Sequence, residues 1–321
     1  MSEIFVPEHV DAALKPLDPA QVVDLSTAER AYLSHYGLDL SGEFLDVTQH
    51  LGTVETGEHR LAVHFLRQKN PRGSAIIVHG YYDHVGLYGH LIRYCLARNL
   101  NVVSLDLPGH GLSSGERASI MTFDEYVQAL VQAIERVKPY LPKPWYLFGQ
   151  SMGGAIAMEL LLGQEAQLGH QEFDEVVLLA PLVRPHRWPL GRVFYHLVKP
   201  FVATRPRSFS ENSEDLEFLK FLREKDALQA DVLPVQWVTA MVQWMNRFKG
   251  YHDKSFSPLI IQGQNDSTVD WRYNMKQLEK QFQPRIHYIP EGRHHLVNES
   301  EAVREKMFQH LDQTIGWKSN D

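Results

Sequence analysis

Eight residues, Leu147-Phe148-Gly149-Gln150-Ser151-Met152-Gly153-Gly154, narrow the choice of fold more than any other stretch of this chain. The apolar run Trp145–Phe148 enters Gly-x-Ser-x-Gly, and Ala155–Leu162 leaves it with the composition of a buried helix. The order predicts a strand, a tight turn and a helix. In such a nucleophile elbow the serine occupies the strained apex, and the flanking positions are glycine because a Cβ there would strike neighbouring backbone. Ser151 is therefore presented rather than buried. The helix behind it would aim unpaired N–H groups and the positive end of its dipole at the place where negative charge could develop.

Apolar runs of strand length recur around this motif at Ala75–Val78, Val102–Leu105, Val176–Leu179 and Leu259–Ile261. Continuous runs of this kind suit strands covered on both faces, and helical patterns near Leu87–Arg98, Phe123–Val137 and Ser151–Leu162 alternate with them. An α/β fold with a mostly parallel central sheet follows. Two stretches alternate with period two instead, Phe44–His50 and His59–Leu66, and read as an antiparallel pair at a sheet edge. The first 40 residues carry Pro7, Pro16 and Pro19 and are expected to wrap over the body.

The alternation stops after Ala180. From 181 to 257 there are aromatic-rich helical patterns but no core strand, which divides the chain into an N-terminal core part (1–180), a helical cap insert (181–257) and a C-terminal core part (258–321). The clearest insert helix spans Val235–Phe248, where Trp237, Val238, Met241, Trp244, Met245 and Phe248 share one face. Packing alone accounts for such a stripe. Trp237, Met241 and Trp244 are nevertheless the candidates for lining an apolar ligand pocket.

Composition excludes several classes. With 44% hydrophobic and 22% charged residues in 321, the chain is a globular protein with a sizeable core. A formal net charge of −7 without a basic run gives no attraction for nucleic acid. Its single cysteine, Cys95, rules out an intrachain disulfide and makes a metal cluster improbable. The start lacks a basic, apolar signal, and no segment reaches membrane-spanning length, so a soluble cytoplasmic protein is the expectation.

A serine hydroxyl needs a base. Gly292-Arg293-His294-His295-Leu296 follows the last apolar strand, and position alone does not separate its two histidines. The base needs an acid, and Gly263–Asp270 leaves the strand at Leu259–Ile261 with Asp266 and Asp270. Asp270 opens the next helical pattern and is explained as a helix cap, which favours Asp266. The backbone N–H groups of Met152 and of Tyr81, in the loop after Val78, are the candidate oxyanion donors. His79 and Asp106 look reactive but suit loop-shaping and turn-stabilising roles.

With these residues in place the chain resembles the α/β-hydrolase superfamily, in particular its group of monoacylglycerol lipases, lysophospholipases and serine aminopeptidases. The resemblance runs from His59 to Leu311 apart from the insert. It is carried by His79-Gly80 with Asp83-His84-x-Gly86-x-Tyr88, Asp106-x-Pro108-Gly109-His110-Gly111-x-Ser113-x-Gly115-Glu116-Arg117, Gly149–Gly154, Gly263-x-x-Asp266-x-x-Val269-Asp270 and His294-x-Leu296-x-Asn298-Glu299. It implies the chain order serine, acid, histidine. The functional histidine of this group lies five residues before the glutamate of the last motif, which selects His294. The resemblance further implies a cofactor-independent carboxylic-ester hydrolase with a Ser151–Asp266–His294 triad and no metal, acting on a small acyl ester or lipid, with transient membrane contact through the cap. Two other readings on the same fold are an aminopeptidase, which would draw an anionic subsite from Glu211, Glu214, Asp215 and Glu217, and a non-catalytic binding protein.

Overall fold

The computed structural model describes residues 4–21, 24–163 and 169–317. Its centre is an eight-stranded sheet in the order β1-β2-β4-β3-β5-β6-β9-β10. These strands are β1 (Val47–Glu55), β2 (Arg60–Gln68), β3 (Gly73–Val78), β4 (Leu100–Leu105), β5 (Trp145–Gln150), β6 (Glu175–Leu179), β9 (Leu259–Gly263) and β10 (Arg285–Ile289). β1 and β2 pair antiparallel, as do β2 and β4, while every pairing from β4 to β10 is parallel. β3, β4 and β5 are buried at every position, as their unbroken apolar runs predict.

Ten helices accompany the sheet among the described residues: α1 (Pro7–Ala13), α2 (Thr27–His35), α3 (Gly89–Leu96), α4 (Phe123–Val137), α5 (Met152–Leu162), α6 (Trp188–Val198), α7 (Leu216–Glu224), α8 (Val235–Phe248), α9 (Trp271–Gln281) and α10 (Glu301–Ile315). Strand residues point alternately to the two faces, so Ile76, Val78 and Leu147 join one core with α4, α5, α8 and α9. Ala75, Ile77 and Phe148 join another with α2, α3 and α10.

The N-terminal segment lies over this body. Leu17 N–H donates to the Thr53 carbonyl of β1 at 2.8 Å, and a Ser26–Glu29 capping box starts α2, which buries Tyr32 and Leu33. β1 differs from the expected strand by running on through Gly52 to Glu55. A Cβ on Gly52 would lie 2.8 Å from the Lys15 carbonyl oxygen, so the glycine that weakens the local strand pattern admits the crossing segment.

Between β6 and β9 the chain runs through α6, β7 (Thr204–Pro206), α7, β8 (Val232–Pro234) and α8, and β7 and β8 form their own antiparallel pair. A buried cluster ties this stretch to the core. The His84 Nε2–H donates to Asp226 at 3.1 Å, Tyr36 Oη–H donates to the same carboxylate at 2.9 Å, and both members of the His–Asp pair have fully enclosed side chains. Burial by itself would discharge both partners; their mutual attraction wins, leaving His84 above and Asp226 below their ordinary pKa.

Candidate active site

Ser151 stands between β5 and α5 with φ +53° and ψ −111°, a left-handed conformation that non-glycine residues rarely adopt. Local packing imposes it. A Cβ on Gly153 would lie 2.1 Å from the Val78 carbonyl oxygen, and one on Gly149 would lie 2.6 Å from the Gly153 oxygen, so only glycine lets helix, turn and neighbouring strand approach this closely. Ser151 N–H donates to Leu179 O at 2.9 Å and Leu182 N–H to Ser151 O at 3.0 Å, which pins the turn to the end of β6.

Three separate strand ends converge here. Ser151 Oγ lies 2.8 Å from His294 Nε2, and His294 Nδ1 lies 2.7 Å from Asp266 Oδ2. An ionised carboxylate only accepts, so Nδ1 carries the proton and Nε2 is free to accept from the serine hydroxyl. Asp266 also accepts from the N–H groups of Thr268 and Val269 at 2.8 and 3.1 Å. Burial alone would raise its pKa, but His294 and these donors bring it below the ordinary value. For His294 burial works downward and the Asp266 charge upward; the carboxylate wins, so the imidazole pKa lies above its usual value.

The other candidates separate cleanly. His295 points away from Ser151, with Nε2 3.1 Å from Asp83 and its ring against Phe218. Asp270 caps α9 by accepting from Tyr273 N–H at 3.3 Å and pairs with Arg184. His79 is locked between two backbone groups, Nδ1–H donating to Gly80 O and Nε2 accepting from Leu107 N–H, and burial pushes its pKa down to about 3. Asp106 accepts from Val85 and Leu112 N–H, which fixes two turns. The N–H groups of Tyr81 and Met152 make no hydrogen bond among the described residues and stay available as donors.

The chemistry opens into a cavity of about 470 Å³ bounded by Ser151, His294, the Gly80–Asp83 loop and residues of the 181–257 stretch. Trp237 and Met241 line it, with Trp237 stacked on Tyr81 at 3.7 Å. Trp244 does not. It is fully buried and stacks on Phe123 of α4 at 5.3 Å, so its place in the candidate pocket is corrected: Trp244 follows Met241 by three residues on α8, nearly one turn further along the same face, which takes it past the cavity and into the core. The acidic residues offered for an amine subsite also lie elsewhere. Glu211 and Glu214 face Arg293, Asp215 caps α7, and none of the four borders the cavity.

Residue patterns alone gave no role to the groups that hold the site. Tyr88 Oη accepts from Gly80 N–H at 2.9 Å and donates to Asp83 Oδ2 at 2.9 Å, which sets the loop carrying Tyr81. Gln150 Nε2–H donates to His294 O at 2.8 Å. Glu299, with no exposed surface, accepts from the N–H groups of Arg293 and Glu214. The Asn212 carbonyl accepts from both His294 and His295 N–H, so the stretch between β6 and β9 holds the histidine loop directly. Asp83, Tyr88 and Glu299 stand inside the quoted motifs, which was the available signal; Asn212 stands in none.

A mostly parallel eight-stranded sheet with a serine elbow at the end of β5 defines an α/β hydrolase. Residues 69–301 match the family model for serine aminopeptidase S33 (Hydrolase_4), and the chain belongs to that family. It is 26% identical to human monoglyceride lipase over 274 residues, covering 82% of this chain and 88% of that protein. A monoglyceride lipase homolog of monkeypox virus is 25% identical over 253 residues, covering 76% and 90%. Among solved structures, a soluble variant of Saccharomyces cerevisiae monoglyceride lipase in complex with a substrate analog superposes with a TM-score of 0.69 at 15% identity, covering 83% of this chain and 94% of that one.

Proposed function

We propose that this protein is a serine hydrolase that cleaves carboxylic esters of single acyl chains, of the monoacylglycerol or lysophospholipid type, through an acyl-enzyme. The observation that carries this reading is the hydrogen-bonded alignment of Ser151, His294 and Asp266, with Ser151 and His294 on the wall of one cavity. The names of the lipase relatives support it.

Ser151 Oγ attacks the ester carbonyl as its proton passes to His294 Nε2, and the carbonyl oxygen takes up the negative charge. The Tyr81 and Met152 N–H groups donate to that oxyanion, aided by the N-terminus of α5. Collapse breaks the ester C–O bond, and His294 returns the proton to the departing alkoxide. A water then gives its proton to His294 and attacks the acyl carbon; the acyl C–Oγ bond breaks, His294 passes the proton to Ser151 Oγ, and the acid is released. Asp266 keeps Nδ1 protonated and stabilises the imidazolium of each half-reaction without taking the proton itself.

In this reading residues 181–257 are a cap between the core parts 1–180 and 258–321, with Trp237 and Met241 against the acyl chain. The peptidase alternative lacks support at the cavity. The only carboxylate on its wall among the described residues is Asp83, which is engaged by Tyr88 and His295. The test is labelling by a fluorophosphonate. The wild type is expected to react at Ser151 and Ser151→Ala to stay unlabelled, and an unlabelled, folded wild type would refute an activated serine.

A further inference from the structure

The cavity is cationic although the chain as a whole is anionic. Arg205, Arg207 and Arg223 border it, and among the described residues none of the three has a carboxylate within ion-pair distance. Some arginines elsewhere are paired, Arg60 with Asp11, Arg98 with Asp312, Arg184 with Asp270 and Arg285 with Glu175, and others are not. Among the described residues, the cavity wall holds three arginines against one carboxylate, Asp83, in a chain whose net charge is −7.

Arg207 is the telling member. Arg205 and Arg223 are exposed and keep their water, whereas Arg207 is half-buried. Its guanidinium lies over the Tyr82 ring at 4.1 Å and the Phe209 ring at 4.4 Å. Those faces favour a cation but do not neutralise it. The guanidinium's only hydrogen bonds among the described residues are from Nη1, to Gln229 Oε1 at 2.5 Å and Ala230 O at 3.4 Å. The Nε–H and both Nη2–H donors remain unspent. Burial pulls the Arg207 pKa down, and the more distant charges of Asp83 and Asp226 only partly oppose it; arginine starts so far above neutrality that it stays charged, with no carboxylate at ion-pair distance among the described residues. Position completes the case. Tyr82 follows Tyr81 in the oxyanion loop, their rings 4.1 Å apart, so the guanidinium sits on the loop that would hold the reacting carbonyl.

We propose that Arg207 anchors the headgroup of the substrate and that this headgroup carries a phosphate. The fork of a guanidinium matches two phosphate oxygens, which a lysine could not do. Arg205 and Arg223 then supply longer-range attraction, and the apolar wall at Trp237 and Met241 takes the acyl chain. The inference rests on the reading of Ser151 as the acyl acceptor.

The experiment compares 1-decanoyl-lysophosphatidylglycerol with 1-decanoylglycerol in wild type, Arg207→Gln and Arg207→Lys, each confirmed folded by thermal melting. Wild type is expected to favour the phosphate-bearing ester. A charge-assisted hydrogen bond is worth about 1.5–3 kcal/mol, so Arg207→Gln should lower the ratio of the two kcat/KM values by roughly 10- to 100-fold. The loss should fall on the KM of the phosphate ester, with Arg207→Lys intermediate. Equal losses on both esters, or a wild type indifferent to the phosphate, would overturn the anchor. Fluorophosphonate labelling run in parallel separates the two failures: a labelled enzyme with an unchanged ratio loses only the headgroup subsite, while an unlabelled one loses the hydrolase reading on which it rests.

Discussion

At the scale of single residues the proposed proton transfer runs between Ser151 Oγ and His294 Nε2, with Asp266 behind the ring. Removing either end should disable it. Ser151→Ala and His294→Ala are each expected to reduce kcat on a p-nitrophenyl ester by about 10⁴-fold or more, and the double variant by little beyond either single one, because the groups act as a unit. Retained turnover in His294→Ala with loss in His295→Ala would move the base one residue along the loop. Asp266 has a distinct signature. Activity needs neutral His294, and Asp266 holds the imidazole pKa above its ordinary value, so kcat/KM should rise with pH through a midpoint above about 6.5. Asp266→Asn should lower kcat and move that midpoint down; a midpoint that stays put would show that the carboxylate does not set it. How much of this was legible varied by residue. Ser151 was readable because its glycines and the apolar runs beside them are local. Choosing His294 over His295 depends on a carboxylate 28 positions away, and only the resemblance, not the local pattern, could make that choice.

At the scale of elements the same contrast holds. α4 and α8 lie where their periodicity puts them, since an amphipathic stripe is written within one element. What each position along the α8 stripe touches is not written there. Met241 and Trp244 look alike in sequence, yet one borders the cavity and the other fills the space against Phe123. The two ends of this stripe should respond differently. Met241→Ala and Trp237→Ala are expected to shift the preferred acyl length in a p-nitrophenyl ester series, by about 0.8 kcal/mol of transition-state binding per methylene gained or lost. Trp244→Ala should instead cost about 3–5 kcal/mol of stability and, where still folded, leave the chain-length profile alone. A shifted profile in Trp244→Ala would restore it to the pocket.

Across the whole molecule, the stretch between β6 and β9 is tied to the rest by charges that lie far apart in sequence. His84 and Asp226 are separated by 142 positions and carry no mutual signal, so the link is invisible without the fold. Tyr36 closes it from α2's end, and Tyr32, His64 and Asp106 surround it. The raised His84 pKa contributes stability that is complete below its unfolded value and fades as pH rises through the folded one. The lowered Asp226 pKa contributes stability that is complete above its unfolded value and fades as pH falls through the folded one. The two overlap between about pH 4 and 6.5. Asp226→Asn should therefore destabilise the protein by about 3–5 kcal/mol in urea unfolding at pH 5.5. The deficit should be smaller at pH 9, and a deficit that grows with pH would contradict the pairing.

The detour between β6 and β9 also has a consequence in time. Val177 and Leu259 are neighbours in the sheet, yet 82 positions separate them, and Asp266 and His294 come later still. During synthesis the elbow can be made, with β3 and β5 already in place, while its base and acid are still inside the ribosome. A chain arrested just after β6 would then hold its serine in an unreactive turn beside an unclaimed strand edge. Reactivity toward a fluorophosphonate should appear abruptly once the His294 loop has emerged, which makes the order of translation a safeguard against a half-built enzyme meeting its substrate.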